Sequence, residues 1–394
     1  NSMAHRLGRQ FSTLTAMSDI DRAALSQPDR QEMIRTILVR MHGALQCRGI
    51  AFLLGGGDGS DGEASWSVLQ FKDSQWREES VAVRPEDVAE LAIHPEGLEV
   101  APGTTRGYLE WSPAQSASLI LPLIRAESII GMVVVEYDTT EAMANEHRGA
   151  RQLADQVAIA MANASLLEDL EGLSSGALTA LARTIDANSP WTAGHSERVT
   201  YVSLRLGERL GLSTRDLDTL YRGGLLHDIG KIAIPAAILN KPGPLTKKEF
   251  AIVKRHPSTG ASILSPIGVY QATIPIVLSH HERLDGSGYP EGLTGDRIPL
   301  LARVAAVADV YDALTSARPY RPGWPVERVV EHITEGAGVE YDPDVTDELV
   351  AAVQDGVMDL RRNGKPVPPG PRWVGLGSSG IPLTAGLKVL QKRG

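Results

Sequence analysis

Seven side chains of the kind that bind metal ions are scattered between His195 and Asp309, and any fold of this chain must account for their spacing. They are His195, the pair His227-Asp228, His256, the pair His280-His281, and Asp309. Five of the ten histidines belong to the set, and they stand next to patterns of helical type. Imidazole nitrogens mixed with carboxylate oxygens suit first-row metals such as iron or manganese, whereas calcium or magnesium favours oxygen alone. Seven ligands exceed what one ion needs. With Asp228 bridging, they suffice for two ions that keep positions open for water and a substrate phosphate.

From 180 to about 355 the pattern is almost entirely helical. Ser213-Thr214-Arg215-Asp216 and Thr246-Lys247-Lys248-Glu249 have the spacing of a capping box, so a helix is predicted to start at each. The first is expected to end at Leu225-Leu226-His227-Asp228, and the second to carry His256 just before Pro257. Gly211 suits a helix C-terminal cap. The ligands then fall near helix ends and on inner faces of a bundle, a usual place to assemble a metal site.

The first 170 residues read differently. Asp29 to Met41 carries apolar residues at helical spacing, and Ile50-Ala51-Phe52-Leu53-Leu54 reads as a strand. Gly57-Asp58-Gly59-Ser60-Asp61-Gly62 spells a Gly-rich phosphate fingerprint, but a strand pattern from Ser65 to Phe71 follows where a helix is required, so a hairpin turn is the better reading. Strands Ala117 to Ile124 and Gly131 to Tyr137 flank a connection of hairpin length at Arg125-Ala126-Glu127-Ser128. This order of helix, strands and closing helix resembles a GAF domain over roughly 20–170. The resemblance implies an antiparallel sheet with flanking helices that binds a small molecule or dimerises. The Asn-Lys-Phe-Asp-Glu type motif of cyclic-nucleotide-binding members has no match.

From about Asn145 to Asp186 the chain reads as one long helix or two in tandem. Ile159, Asn163, Leu166, Leu170, Leu173, Ala177 and Ala180 alternate by four and three, a heptad seam with one asparagine of the kind that fixes register. A parallel homodimer through this helix is expected, although Gly172 and Gly176 weaken it and the stripe packing on its own domain is the alternative.

Composition narrows the partners. A net charge of −9 argues against bulk nucleic-acid binding, which wants a basic surface. The single cysteine, Cys47, excludes a disulfide framework and a thiolate zinc site, fits a reducing cytoplasm, and reads as a small core residue. No apolar run reaches about 18 residues, so no membrane span is visible. Asn1-Ser2 before Met3 reads as a vector-derived scar, and 1–20 is set apart from the sensor domain at 21–170. A helix at 145–186 overlaps both domains, a helical domain follows at 180–355, and 361–394 is a Pro/Gly-rich tail in which Ile381 to Leu390 reads as a short helix or the stub of a further domain.

The motifs His227-Asp228-Ile229-Gly230-Lys231, His280-His281-Glu282-Arg283-Leu284-Asp285-Gly286-Ser287-Gly288-Tyr289-Pro290 and Asp309-Val310-Tyr311-Asp312-Ala313-Leu314-Thr315 resemble the HD-GYP family of cyclic di-GMP phosphodiesterases. The whole chain is similar to GAF–HD-GYP signalling proteins. The resemblance implies hydrolysis of cyclic di-GMP to linear pGpG, with GMP as the product of a further cut. Another cyclic dinucleotide or phosphoester is the alternative substrate, and a silent cyclic di-GMP sensor the alternative role. Two cations lower the pKa of a water they share and clamp the phosphate, which is the chemistry phosphodiester hydrolysis needs.

The expected division gives one ion His195, His227, Asp228 and Asp309, and the other Asp228, His256, His280 and His281. Asp228 and Lys231 are the expected catalytic pair, with Lys231 holding a phosphate oxygen. The resemblance implies that Arg318 and Arg321 stand where the family's substrate-binding basic residues fall, and guanidinium suits phosphate or guanine. Tyr289 is expected to shape the pocket or serve the turn alone. Asp312 is expected to orient a ligand, contact substrate or form a salt bridge. Some relatives hold a third metal through a glutamate four residues before the first histidine. Trp191 stands there, Ser189 replaces a frequent aspartate, and Asp186 is the outside candidate, so two ions are expected.

Overall fold

The computed structural model describes residues 2–26, 30–55, 64–104, 106–109, 115–125, 128–189, 192–317, 322–358 and 381–382. The chain divides into two units, one formed by 1–170 with 374–394 and the other by 171–373. The Gly57–Gly62 stretch, Trp191, Arg318 and Arg321 lie outside the described residues.

The first unit is built on an antiparallel sheet in the order β3-β2-β1-β6-β5-β4. Its strands are β1 (Gly49–Gly55), β2 (Ala64–Lys72), β3 (Gln75–Val83), β4 (Leu98–Val100), β5 (Ala117–Arg125) and β6 (Ser128–Tyr137). The β2–β3 turn is two residues long, Asp73 and Ser74, both at positive φ (49° and 60°), as the twist of a tight hairpin demands. Alternation sorts the side chains: Ile50, Phe52, Val133 and Val135 face a core with α1 (Ser2–Ser26), α2 (Arg30–Leu45) and the start of α4 (Thr140–Asp186), while Leu53, Val134 and Trp66 face a second core containing α3 (Pro85–Ala92). The segment set apart at 1–20 is corrected here. It forms most of α1, and Ala16, Ile20 and Ala23, at helical spacing, are buried in the first core. In the tail, Ile381 and Pro382 are extended and pair with Ile129 and Ser128 as β7 (Ile381–Pro382), so the helical alternative does not hold at those two residues.

Helix α4 is 47 residues long; its residues to Leu170 count with the first unit and the remainder with the second. The second unit is helical: α5 (His195–Arg209), α6 (Thr214–Leu226), α7 (Ala236–Leu239), α8 (Lys247–Val253), α9 (His256–Leu264), α10 (Ile274–Ser279), α11 (Leu300–Thr315), α12 (Val326–Glu335) and α13 (Pro343–Gln354). Ser213 and Thr246 accept from the backbone N–H of Asp216 and Glu249, and Gly211 takes the left-handed conformation (φ 69°) that ends α5. The helix begun at Thr246 does not reach His256. It stops at Val253, and α9 begins at His256, where Pro257 lacks the N–H that a continuing helix would need. The break turns His256 to the first position of a helix. Val199, Val202, Leu206, Leu220, Val304, Val307, Ala308, Val329, Ile333 and Leu349 close the main core around α5, α6 and α11. No helix among the described residues is long and apolar enough to cross a membrane.

Candidate metal centre

Helix ends deliver the ligands. His195 opens α5, His227 and Asp228 close α6, His256 opens α9, His280 and His281 follow α10, and Asp309 sits within α11. Side-chain ligand atoms fall into two groups whose atoms lie within 4.8 Å of one another: Asp228, His256, His280 and His281 in one, and His195, His227 and Asp309 in the other. All seven residues named from sequence are therefore brought together.

Asp228 stands between the groups. Its Oδ2 lies 3.3 Å from His227 Nε2 and 3.7 Å from His195 Nε2, while its Oδ1 lies 3.3 Å from His256 Nε2 and 4.0 Å from His280 Nε2. Asp309 spans similarly, with Oδ1 3.3 Å from His195 Nε2 and Oδ2 3.7 Å from His281 Nδ1. A carboxylate whose oxygens face different histidine sets has the shape of a bridge between two cations.

The tautomers follow from what each Nδ1 meets. In His227, His256 and His280 that nitrogen is 2.7–2.9 Å from the carbonyl three residues back, of Gly224, Val253 and Val277 respectively. A carbonyl only accepts, so each Nδ1 donates; in His256 and His280, which burial pushes down toward the neutral form, Nε2 then presents a lone pair inward. Two such lone pairs, on His256 and His280, stand 3.4 Å apart, an arrangement that repels until a cation or proton separates them. His227 Nε2 and Asp228 Oδ1 are buried without a hydrogen-bond partner. Buried polar atoms left open at the centre of a donor set fit a metal, and these do.

His195 is held otherwise. Its Nδ1 donates to Asp312 Oδ2 at 2.7 Å, and Arg198 donates to both oxygens of Asp312, at 2.6 and 3.1 Å. Asp312 is 1% exposed and both its oxygens are engaged, which fits the orienting and salt-bridge alternatives expected for it and leaves no oxygen free for a substrate contact. Its contact holds the His195 ring in place, and Arg198, one turn along α5, was not singled out from sequence. The carboxyl of Asp186, 3% exposed, accepts from Ser196 Oγ and Ser196 N, so it caps the start of α5.

Electrostatics follow the same pattern. Burial would raise the Asp228 carboxyl, yet Lys231 and the imidazoles of His227 and His256 outweigh it and hold it well below the usual carboxylate range. Lys231 Nζ donates to Asp228 Oδ2, which puts its ammonium beside the cluster. Burial pushes His256, His280 and His281 down, leaving them neutral as ligands must be. For His195, burial is outweighed by Asp309 and Asp312, which push it up to about 9; a cation taking its Nε2 must displace that proton.

Two glycines permit this convergence. A Cβ on Gly230 would meet the His256 carbonyl oxygen at 1.9 Å, and one on Gly288 would meet Arg283 N and Glu282 Cα, both at 2.5 Å. Glu282, 4% exposed, accepts from the backbone N–H of Glu291, Gly292 and Leu293 at 2.7–3.1 Å and ties the following loop down. That loop carries Tyr289, whose ring lies 4.8 Å from His281. A cavity of about 260 Å³ lined by Leu212, Pro275 and Leu300, among others, shares no residue with the cluster.

Residues 179–345 match the family model described as the HD domain. The cyclic di-GMP phosphodiesterase response regulator RpfG of Xanthomonas campestris is 42% identical over 186 residues, covering 47% of this chain and 49% of the relative. The 3'3'-cGAMP-specific phosphodiesterase 3 of Vibrio cholerae is 40% identical over 42% of this chain and 36% of its own length. A cyclic di-GMP phosphodiesterase of Pseudomonas aeruginosa is 36% identical over 68% of this chain and 60% of its own. The chain thus spans between about a third and three fifths of these relatives.

Proposed function

We propose that this chain is a phosphodiesterase of the HD-GYP type that opens cyclic di-GMP to linear pGpG, with GMP as the product of a further cut. The observation that carries the reading is Asp228, whose two oxygens face separate histidine sets. His195, His227, Asp228 and Asp309 would hold one divalent cation, and Asp228, His256, His280 and His281 the other. The mixed imidazole and carboxylate donors favour iron or manganese. Two such cations, when bound, activate water and neutralise charge on the phosphoryl oxygens. The chain's own residues then divide the work. Lys231 presents its ammonium to a non-bridging phosphate oxygen, Tyr289 walls the pocket beside His281, and Arg318 and Arg321 meet phosphate or guanine.

Incubating the full chain with cyclic di-GMP and Mn(II) or Fe(II) should yield pGpG by chromatography. Binding without product under either metal would favour a silent sensor. A second reading, hydrolysis of 3'3'-cGAMP, is favoured by the similarity to the Vibrio cholerae enzyme of that specificity. Parallel assays with the two substrates separate them through kcat/KM.

The first unit we read as a GAF domain that binds a small molecule and regulates the second through α4. The order and antiparallel pairing of its sheet support that reading. Along α4 the stripe Ile159, Leu166, Leu170 and Leu173 is 50–71% exposed, which supports a parallel homodimer seam. Light scattering should return a dimeric mass, and a monomer at micromolar concentration would refute the seam. The single cysteine fits work in the cytoplasm.

A further inference from the structure

A cyclic dinucleotide carries two phosphates and two purine bases. The metal-type cluster with Lys231 answers to one phosphate, and Arg318 and Arg321 to phosphate or guanine edges, which leaves the purine faces without a stacking surface. Helix α8 offers what is missing. Phe250 is 43% exposed, unusual for a phenylalanine beside a buried centre. Its ring stands 6.3 Å from that of Tyr289, nearly edge-on at 79°. The Tyr289 ring in turn lies 4.8 Å from His281 and 6.4 Å from His256. An aromatic series therefore runs from the metal-type ligands outward to an open phenyl face.

Lys254 stands one turn after Phe250. Its Nζ lies 5.0 Å from the Phe250 ring centroid and 5.1 Å from that of Tyr289. An ammonium poised over two rings is held weakly enough to be recruited by an anion. The short helix is itself pinned. Thr246 and Glu249 form its capping box, and Lys241 donates to Glu249 at 2.7 and 3.0 Å. A π-face and a cation side by side are the means by which proteins hold nucleotides without reading the base edges.

We propose that Phe250 and Lys254 form the subsite for the half of the substrate distal to the cleaved phosphate. One purine stacks on Phe250, and Lys254 leaves the rings to meet the second phosphate. The inference rests on the phosphodiesterase reading above. It also makes the subsite tolerant of the base, since stacking does not distinguish guanine from adenine.

The test uses the manganese-loaded full chain and four variants: Phe250→Leu, Phe250→Ala, Phe250→Tyr and Lys254→Gln. Leucine keeps the apolar bulk and removes the π-face, whereas tyrosine keeps the face. Phe250→Leu and Phe250→Ala should raise KM for the cyclic dinucleotide roughly 10-fold with kcat little changed, and Phe250→Tyr should restore it. Lys254→Gln should raise KM and flatten its dependence on salt. Metal content should match the parent in all four. Parent-like KM in Phe250→Leu would overturn the subsite, as would loss of kcat together with metal across the series. Absence of turnover by the parent on either cyclic dinucleotide would instead defeat the functional reading, and the subsite with it.

Discussion

Replacing Asp312 by asparagine removes one negative charge from behind His195 while keeping the side chain's shape. In the parent, Oδ2 takes the His195 Nδ1–H at 2.7 Å and Arg198 is forked onto both oxygens. Asparagine has one acceptor oxygen for these donors and turns an N–H₂ toward the other, so one bond is lost and one contact becomes donor against donor. The imidazole loses both its orientation and the carboxylate that raises its basicity. Loss of such a partner costs a ligated histidine roughly 10- to 100-fold in metal affinity, or about 1.4–2.8 kcal/mol. Only one of the two sites includes His195, so the effect should be confined to it. Competition between the protein and a fluorescent chelator for Mn(II) should show one site weakened by that factor and one unchanged. Two parent-like sites in Asp312→Asn would refute the argument that Asp312 acts by holding His195.

Replacing His227 and Asp228 together by alanine should abolish metal uptake and turnover, since Asp228 faces both histidine sets; surviving hydrolysis would defeat the assignment. Gly230→Ala puts a methyl group 1.9 Å from a backbone oxygen of α9 and should cost about 2–3 kcal/mol in denaturant unfolding. Glu282→Ala strips three backbone N–H groups of their acceptor and should cost about 1–3 kcal/mol, with a raised KM as the Tyr289 loop loosens. Cys47 is buried, and burial pushes its thiol from 9.0 up to about 12, so at pH 8 the folded protein presents almost no thiolate. A disulfide reagent should therefore leave it unmodified until denaturant exposes a thiol of ordinary acidity.

The clustering of the seven side chains was legible because each sits in a short motif with its own neighbours. The place of Asp228 between the two groups follows a chemical reason: a carboxylate offers two oxygens to two sides, and Asp228 adjoins His227 at a helix end. What escaped was tertiary or locally unpatterned. Arg198 and Asp312 meet across α5 and α11, and nothing in either segment alone announces the pair. Strand β3 is mostly exposed and polar on both faces, so it carries no period-2 signal to read. In helix α1 the buried Ala16, Ile20 and Ala23 lie at helical spacing, but the larger Phe11 and Leu14 are exposed, so the buried stripe is not the most apolar one in the segment. The break at Lys254-Arg255 was hidden by a capping box that correctly marks where α8 starts and says nothing of where it ends.

Whether these residues hold a pair of cations is tested most directly by metal analysis of protein purified without oxygen. The account requires two ions of iron or manganese per chain, and their loss together when Asp228 is replaced by alanine. A single ion per chain, or full loading in the Asp228→Ala variant, would contradict the bridge on which the proposed chemistry depends.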